Sequence, residues 1–339
     1  MKKFFVELIK SFFILFILFF TAFVYYIYTP SSAKNLSRQI DSSDPNTLDE
    51  TRLNLSSELE KYLSIGLPKD PGKTPTLLHL FLANQRKLLD LRIKQAIDHL
   101  KNTPAKDDEV QITSLLNMGA IVKTEHHIIA FDVADMPLST VQKQLAPLVD
   151  IFLVTHADSD HYDSVLLQKA LENHQKIIFP QGLTLPVQSD NIYELSDGQA
   201  IDLDGVKITT YQTDHRLDRN FDQSNAWYLV ELDGFKILHT GDGIEFKDRQ
   251  KKQSLNNMTD IDVFLVNRQI HPYDIRDIHP KLAIPLHLFK FIHSREELTQ
   301  STFKSVFDIY RQYNKDLQGI NIKFLFPGES TVFQKSTIN

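Results

Sequence analysis

The chain has no cysteine among its 339 residues. A disulfide, a thiolate nucleophile and a site that binds zinc or an iron–sulfur cluster through cysteine are therefore all excluded. Long basic runs are also missing, and the formal net charge is −6. This charge argues against a protein that holds nucleic acid by neutralising its phosphates, so no nucleic-acid partner is expected. Any metal ion must bind to histidine, aspartate, glutamate or solvent.

The N-terminus is the most apolar part of the chain. Lys2 and Lys3 precede the run SFFILFILFFTAFVYYIY, which extends from Ser11 to Tyr28. An α-helix of this length measures about 27 Å, close to the roughly 30 Å of a bilayer's hydrocarbon core. Residues 1–30 are therefore interpreted as a transmembrane anchor that places the rest of the chain outside the cytoplasm. The alternative is a cleaved signal segment, because small residues follow at 31–33, and the product would then be an exported soluble protein.

Residues 31–107 are interpreted as a linker and helical extension. The segment up to residue 74 is rich in serine, aspartate, asparagine and proline, which predicts a tether with one modest helix at about 48–63. The segment from Leu77 to Leu100 has apolar residues at helical spacing, which predicts a long amphipathic helix.

From residue 108 to residue 339 the sequence changes to short apolar runs separated by turns. Asp204-Gly205 and Asp233-Gly234 each lie between two such runs, and Asp-Gly pairs favour tight β-hairpins. Continuous apolar runs predict further buried strands, with helical patterns at 163–174 and 296–313 between them. This order of elements predicts a mixed α/β layered domain. The segment at 110–133 looks like the start of a sheet, and the runs at 150–154, 176–180, 262–266 and 322–327 are predicted as buried strands.

The densest group of metal-ligand residue types follows the predicted strand at 150–154. His156, Asp158, Asp160 and His161 occupy positions i, i+2, i+4 and i+5. A loop at the end of a strand can direct several side chains at one point, and these residue types bind divalent metals. The pattern therefore favours a metal site. The alternative is that the two aspartates cap the following helix and the histidines have no chemical role.

Three more potential ligands lie at the ends of predicted strands, namely His215, Asp242 and His287. Taken singly, each has an alternative role: His215 as a surface residue, Asp242 as a turn residue beside glycines, and His287 as a core histidine. His239 and His271 are candidates for supporting a ligand or facing the substrate, with a purely structural role as the alternative.

Taken together, and in their order along the chain, the segments that contain these candidate residues resemble the metallo-β-lactamase fold superfamily. The resemblance is to its metal-dependent hydrolases, a subgroup similar to the ascorbate-phosphate lactonases and the N-acyl-phosphatidylethanolamine phospholipase D enzymes. It covers roughly residues 109–333 and implies a four-layer αββα sandwich. The blocks that carry it are LLNMGAIVKTEHHIIAFDV, THADSDH, TDHRLDRNFDQSNAWYLVE, HTGDG, IPLH and FLFPGES.

The resemblance also implies a site with two divalent metal ions. It assigns Asp160 a catalytic role, because this carboxylate would orient a hydroxide shared by the two ions while binding metal itself. The implied ligands are His156, Asp158 and His215 for one ion, Asp160, His161 and His287 for the other, and Asp242 as the bridge.

One ligand departs from the family's H-x-H-x-D-H pattern, in which a histidine stands where this chain has Asp158. A carboxylate oxygen in place of an imidazole nitrogen makes the site harder. The change shifts the expected metal from zinc toward manganese or iron without excluding zinc.

The expected function is that of a membrane-tethered binuclear hydrolase. Its substrate would be a phosphodiester, ester or lactone, either a small molecule or a lipid-like one. Two alternatives remain: a non-enzymatic protein that keeps the fold for binding, and a di-iron redox protein, suggested by the carboxylate of Asp158 but without a Gly-rich dinucleotide loop. Arg216, Arg219 and Arg268 could meet an anionic substrate, although a solvated surface position is the more common role of such residues. The oligomeric state is not predicted.

Overall fold

The structure is a computed structural model. It describes residues 2–47, 49–63, 76–134, 141–184, 186, 188–214, 224–243, 258–289 and 305–335.

Three helices precede the sheets: α1 (Lys2–Ser42), α2 (Glu50–Leu63) and α3 (Thr76–Asn102). The carboxylate of Asp49 accepts a hydrogen bond from the backbone N–H of Arg52 and caps the start of α2. Helices α2 and α3 confirm the two helices predicted in this region. The tether predicted from residue 31 is wrong as far as residue 42, because α1 continues there without a break.

The continuation of α1 has a physical reason that its polar composition conceals. Ala33, Leu36 and Ile40 are spaced three and four residues apart and are buried in one core cluster, together with residues of α2 and α3. No observation tests the division of the chain at residues 30 and 107, which stays a prediction.

The first sheet has seven strands in the order β13-β1-β2-β3-β4-β5-β6. The pairs from β13 to β3 are antiparallel, and those from β3 to β6 are parallel. The sheet predicted to begin at 110–133 is confirmed, because β1, β2 and β3 pair antiparallel there. The strands are β1 (Glu109–Ser114), β2 (Ala120–Lys123), β3 (Ile128–Phe131), β4 (Ile151–Leu153), β5 (Lys176–Pro180), β6 (Ile192–Leu195) and β13 (Ser330–Gln334).

The second sheet has six strands in the order β12-β11-β10-β9-β8-β7. Both predicted Asp-Gly hairpins are confirmed, since Asp204 and Asp233 have φ angles of 56° and 45° and each glycine that follows is also positive. Strands β7 to β10 are antiparallel and β10 to β12 are parallel. The strands are β7 (Ala200–Leu203), β8 (Val206–Asp214), β9 (Ser224–Leu232), β10 (Phe235–His239), β11 (Val263–Asn267) and β12 (Leu282–Leu286).

The two sheets pack face to face, and side chains alternate between two core clusters. In β4, Ile151 and Leu153 belong to the cluster between the sheets, whereas Phe152 belongs to the cluster shared with the helices. In β11, Leu265 and Phe264 divide in the same way. The result is the layered α/β sandwich that the resemblance implies. The remaining helices are α4 (Ser164–Glu172), α5 (Pro272–Ile278), α6 (Val306–Asp316) and a 3₁₀ turn at Gln142–Leu145.

One predicted strand is wrong. The apolar run at 322–327 is not a regular strand, and only Ile322 forms an isolated bridge, to Ala283. Phe324 and Phe326 are nevertheless buried in the helix-side cluster, and Leu325 is buried in the cluster between the sheets. Burial explains the apolar pattern, whereas a strand also requires a continuous pairing partner. Of the helix predicted at 296–313, only the part from 306 onward lies within the described residues.

The apolar N-terminal run lies within α1. Within the described part of the chain, no helix is both long enough and apolar enough to cross a membrane. The anchor stays a prediction.

Candidate metal centre

The potential ligands lie at one edge of the sandwich, because parallel strands end there. The HADSDH loop follows β4, Asp242 follows β10 and His287 follows β12 directly. Strands β3 to β6 and strands β10 to β12 are parallel within their sheets, so their carboxyl ends converge at the same edge of each sheet. Side chains that are more than a hundred residues apart in sequence therefore meet.

The loop after β4 is shaped by its own turn and by the cap of α4. The backbone N–H of His161 donates to the carbonyl oxygen of Asp158 at 2.9 Å. The cap of α4 is Asp163, whose Oδ1 accepts from the N–H groups of Val165 and Leu166 at 2.9 and 3.0 Å. The hypothesis that Asp158 and Asp160 cap this helix is therefore wrong.

Two imidazoles and two carboxylates meet around the position predicted for the second ion. His161 Nε2 lies 3.6 Å from Asp160 Oδ2 and 3.5 Å from Asp242 Oδ2. His287 Nε2 lies 3.5 and 3.6 Å from the same two oxygens. Tetrahedral ligands at about 2.0–2.2 Å from a metal ion are separated from one another by about 3.3–3.6 Å. The spacing is that of a ligand set around one ion.

The position predicted for the first ion is described in part. His156, His161 and Asp242 place potential ligand atoms within 4.8 Å of one another. His156 Nε2 also lies 3.5 Å from Asp158 Oδ2, and the Asp158 side chain is 35% exposed. His215 lies outside the described residues, so its predicted role stays a prediction.

Asp132, the residue directly after β3, determines which ring nitrogens of two histidines face the site. Its Oδ2 accepts hydrogen bonds from His161 Nδ1 at 2.9 Å and from Thr155 Oγ1 at 2.7 Å. The single Thr155 hydroxyl proton is thereby used, so Oγ1 accepts from His156 Nδ1 at 3.0 Å. Both imidazoles are therefore protonated at Nδ1 and present Nε2 to the carboxylates.

The residues present fit a bound cation. His161 Nε2 is buried and has no hydrogen-bond partner among the described residues, although carboxylate oxygens lie within 3.6 Å of it. Burial alone would lower the pKa of His161, but the carboxylates of Asp242, Asp160 and Asp132 outweigh it and raise that pKa well above its ordinary value. This buried nitrogen requires either a proton or a metal ion between itself and the carboxylates.

The carboxylates of the site are held in the charged form. Burial opposes ionisation of Asp160, yet His161 and His287 lower its pKa to about 2. The pKa of Asp242 also lies well below its ordinary value, because the same two histidines outweigh its burial. Charged carboxylates are the state that binds divalent metal.

The backbone at the site adopts uncommon conformations. Asp132 and His287 have φ angles of 42° and 58°, in the left-handed region that non-glycine residues rarely adopt. The N–H of His287 donates to the carbonyl of Asn117 at 2.7 Å, which holds this conformation. The side-chain amide of Asn117 also lies 3.5 Å from Asp160 Oδ2.

The two supporting histidine candidates have different surroundings. His239 is buried, its Nε2 donates to the carbonyl of Met118 at 2.9 Å and its Nδ1 accepts from the N–H of Gly241 at 3.2 Å. It therefore fixes the turn that carries Asp242. His271 is exposed, and its Nδ1 accepts from the N–H of Tyr273 at the start of α5. Its structural role there is that of a helix cap.

Arg268 is not a solvated surface residue, since only 6% of it is exposed. Burial lowers its pKa to about 10, still far above neutral pH. Its role toward an anionic substrate stays a prediction, and Arg216 and Arg219 lie outside the described residues.

Comparison with known proteins identifies the domain to which this centre belongs. The family model described as a β-lactamase superfamily domain matches residues 120–287. These residues are a metallo-β-lactamase superfamily domain. The match begins at β2 and ends at His287, so the metallo-β-lactamase domain contains every predicted ligand.

The sequence relatives that overlap the metallo-β-lactamase domain carry related names. A UPF0173 metal-dependent hydrolase from Polynucleobacter asymbioticus is 26% identical over 205 residues, covering 52% of this chain and 67% of the relative. A second, from Thermococcus onnurineus, is 28% identical over 150 residues, covering 41% of this chain and 66% of the relative.

The solved structure of the metallo hydrolase Igni18 from Ignicoccus hospitalis aligns with a TM-score of 0.50 at 18% identity. The alignment covers 67% of this chain and all of that one. At this identity the likeness shows the metallo-β-lactamase fold alone.

Proposed function

We propose that the chain is a metal-dependent hydrolase that uses two divalent ions. The observation that carries the proposal is the pairing of His161 and His287 Nε2 with the same two carboxylate oxygens at 3.5–3.6 Å. The names of the two sequence relatives support the reaction class.

Each ion would be held by residues on more than one strand end. His161, His287, Asp160 and Asp242 would hold one ion, and His156, Asp158 and Asp242 would hold the other together with His215. Bound divalent ions would supply water of lowered pKa and would stabilise negative charge that develops on the substrate.

The protein's own groups would position the reactants. Asp132 and Thr155 fix the imidazoles of His161 and His156, so neither ring can present the wrong nitrogen. Asp160 would accept a hydrogen bond from the attacking water and orient it toward the substrate, in addition to binding metal. The expected substrates are phosphodiesters, esters and lactones, because all three develop negative charge on oxygen during hydrolysis.

The identity of the metal is proposed from the ligand types. With Asp158 in place of a histidine, the first position would have more oxygen ligands than a dizinc site of the family pattern. We expect manganese or iron to compete with zinc at this position.

The test combines metal analysis of the full chain with hydrolysis assays. We expect two ions per chain and hydrolysis of at least one member of a panel of phosphodiesters, aryl esters and lactones. The variant Asp242→Ala should lose both metal and activity, because Asp242 contributes to both positions. A wild-type protein without metal, or unchanged hydrolysis in Asp242→Ala, would contradict the proposal and favour the non-enzymatic alternative.

We further propose that α1 tethers the enzyme to a membrane, with the catalytic domain outside the cytoplasm. Residues 12–20 support this proposal, because these nine large apolar side chains are each 51–72% exposed. The full chain should sediment with membranes, resist high-salt washing and dissolve in detergent. Recovery of the intact chain in the soluble fraction would contradict the tether and leave the hydrolase proposal untouched.

A further inference from the structure

The bridging carboxylate of Asp242 is held by an asparagine at the end of the neighbouring strand. Asn267 is the last residue of β11, and its Nδ2 donates to Asp242 Oδ1 at 2.8 Å. The other oxygen, Oδ2, is the one that lies 3.5 and 3.6 Å from the imidazole nitrogens of His161 and His287. The two oxygens of Asp242 thus face different partners.

The orientation of the Asn267 amide is fixed by a second hydrogen bond. Its Oδ1 accepts from the backbone N–H of Gln269 at 2.8 Å, and a backbone N–H can only donate. The oxygen end of the amide must therefore face Gln269, which leaves the NH₂ end for Asp242. Asn267 is only 2% exposed, so its amide depends on these two partners within the protein.

The surroundings of Asn267 also locate it between two ligand-bearing strands. Its backbone N–H donates to Thr240 Oγ1 at 2.9 Å, two residues before Asp242. Across the sheet it pairs with Leu286, the residue before His287. Asn267 therefore lies beside the strands that precede Asp242 and His287, although it is near neither of them in sequence.

We propose that Asn267 is a positioning residue for the metal centre. By holding Oδ1, the amide prevents Asp242 from binding a single ion with both oxygens and leaves Oδ2 to be shared between the two positions. This inference rests on the proposed two-ion hydrolase and adds a residue that neither the ligand motif nor the family match identifies.

The variants Asn267→Leu and Asn267→Asp distinguish the hydrogen bond to Asp242 from the hydrogen bond that Asn267 accepts from the N–H of Gln269. Leucine removes both hydrogen bonds of the amide. Aspartate keeps an acceptor for the N–H of Gln269 and removes the donor to Asp242. Gln111→Leu is the matched control, because it removes another buried amide, whose Nε2 donates to the carbonyl of Pro104 and which lies on β1 of the other sheet.

Metal-free full-length protein is titrated with zinc and with cobalt(II). The titrations give the stepwise affinities and the absorption spectrum of bound cobalt, and circular dichroism checks that each variant is folded. In both Asn267 variants, we expect at least one binding step to weaken by about 10- to 100-fold, the usual effect of losing a group that orients a metal ligand. The cobalt spectrum should change with it. The Gln111→Leu protein should bind as the wild type does.

Each other outcome contradicts the inference. Wild-type affinities and spectra in both Asn267 variants would show that the amide does not position the ligand. A loss confined to Asn267→Leu would assign the effect to the Gln269 turn, and an equal loss in Gln111→Leu would assign it to general destabilisation. A wild-type protein that binds no metal would instead contradict the proposed function itself.

Discussion

At the scale of single residues, the candidate metal centre is oriented by groups that are not among its predicted ligands. Asp132 accepts three hydrogen bonds, from the N–H and hydroxyl of Thr155 and from His161 Nδ1. A carboxylate can accept all three, whereas an amide must turn a donor toward one of these donors. The carboxylate of Asp132, which only accepts hydrogen bonds, therefore keeps the proton of His161 on Nδ1.

The first prediction concerns Asp132→Asn. We expect metal affinity to fall by about 10- to 100-fold, because the amide would either clash with the Thr155 N–H or force the His161 proton onto Nε2. Isothermal titration of metal-free protein with zinc measures this. Asp262→Asn is the control, because Asp262 is equally buried and accepts from the Lys236 N–H and from Lys281 Nζ, with no ligand nearby. Equal affinities for Asp132→Asn and wild type would contradict the role given to Asp132.

The second prediction concerns the pH dependence of the metal-free protein. The carboxylates raise the pKa of His161 against the effect of burial, so its protonation stabilises the fold fully below the unfolded pKa of about 6.5. This contribution declines as pH rises toward the folded pKa. The denaturation temperature of the metal-free protein should therefore decrease as the pH rises above about 7, and excess divalent metal should prevent this decrease by replacing the proton.

The opposite sign applies to Asp160 in acid. Its pKa of about 2 in the folded protein lies below the unfolded value, so its stabilisation is complete above about pH 4 and is lost as the pH falls further.

Thermal melts of wild type and His161→Gln, with and without metal, test the alkaline effect of His161. A metal-free wild type with the same alkaline pH dependence as His161→Gln would contradict it.

At the scale of elements, two buried arginines connect the N-terminal helices to the turn before β13. Arg52 of α2 donates to both carboxylate oxygens of Glu329 at 2.8 and 2.7 Å and lies over the ring of Phe326. Arg92 of α3 donates through Nε to the carbonyl of Pro327 at 2.7 Å and forms an ion pair with Asp41. These bonds close the interface between the helices and the sandwich.

The third prediction concerns this interface. Arg52→Met should lower the free energy of unfolding by about 3–5 kcal/mol, because Glu329 would remain buried without its counter-charge. Urea denaturation measures the change. Lys94→Met serves as the control, since Lys94 and Asp98 form an exposed pair on α3 and exposed pairs contribute little. A similar loss in both variants, or no loss in Arg52→Met, would show that the buried pair is not a stabilising contact.

Local sequence signals predicted the elements where the signal is itself local. The Asp-Gly hairpins follow from backbone sterics, and the ligands of the HADSDH loop follow from spacing after a strand. The composition of residues 31–42 predicts a tether, because the three spaced apolar residues that make this part of α1 pack are few among polar ones. The apolar run at 322–327 predicts a strand, but its apolar pattern reflects burial without a continuous pairing partner. The hydrogen bond from Asn267 to Asp242 joins neighbouring strands, and no sequence signal within either segment predicts it.

At the scale of the whole molecule, the centre joins ligands from both sheets. Asp160 and His161 follow a strand of the first sheet, whereas Asp242 and His287 follow strands of the second. The ligands are brought together only when the sandwich is assembled, so metal should bind the folded state far more tightly than the unfolded one.

The fourth prediction follows from this coupling. Removal of metal with a chelator should lower the denaturation temperature, and added zinc or manganese should restore it. An ion present at 100 times its Kd contributes about 2.7 kcal/mol to the stability of the folded state. Differential scanning fluorimetry at several metal concentrations measures the effect. A melting temperature independent of both chelator and metal would contradict the two-sheet metal centre.

The contacts of Arg52 and Arg92 also bear on how this chain can be divided. The border near residue 107 separates helices from strands along the sequence, but the buried ion pair with Glu329 and the bond to Pro327 cross it. A fragment that starts at β1 would keep every predicted ligand. It would lose the ion pair of Arg52 with Glu329, the hydrogen bond of Arg92 to Pro327 and the apolar contacts of Leu59 and Ile93. We expect the helices and the sandwich to fold as one cooperative unit, so that the smallest stable hydrolase is much longer than the segment matched by its family.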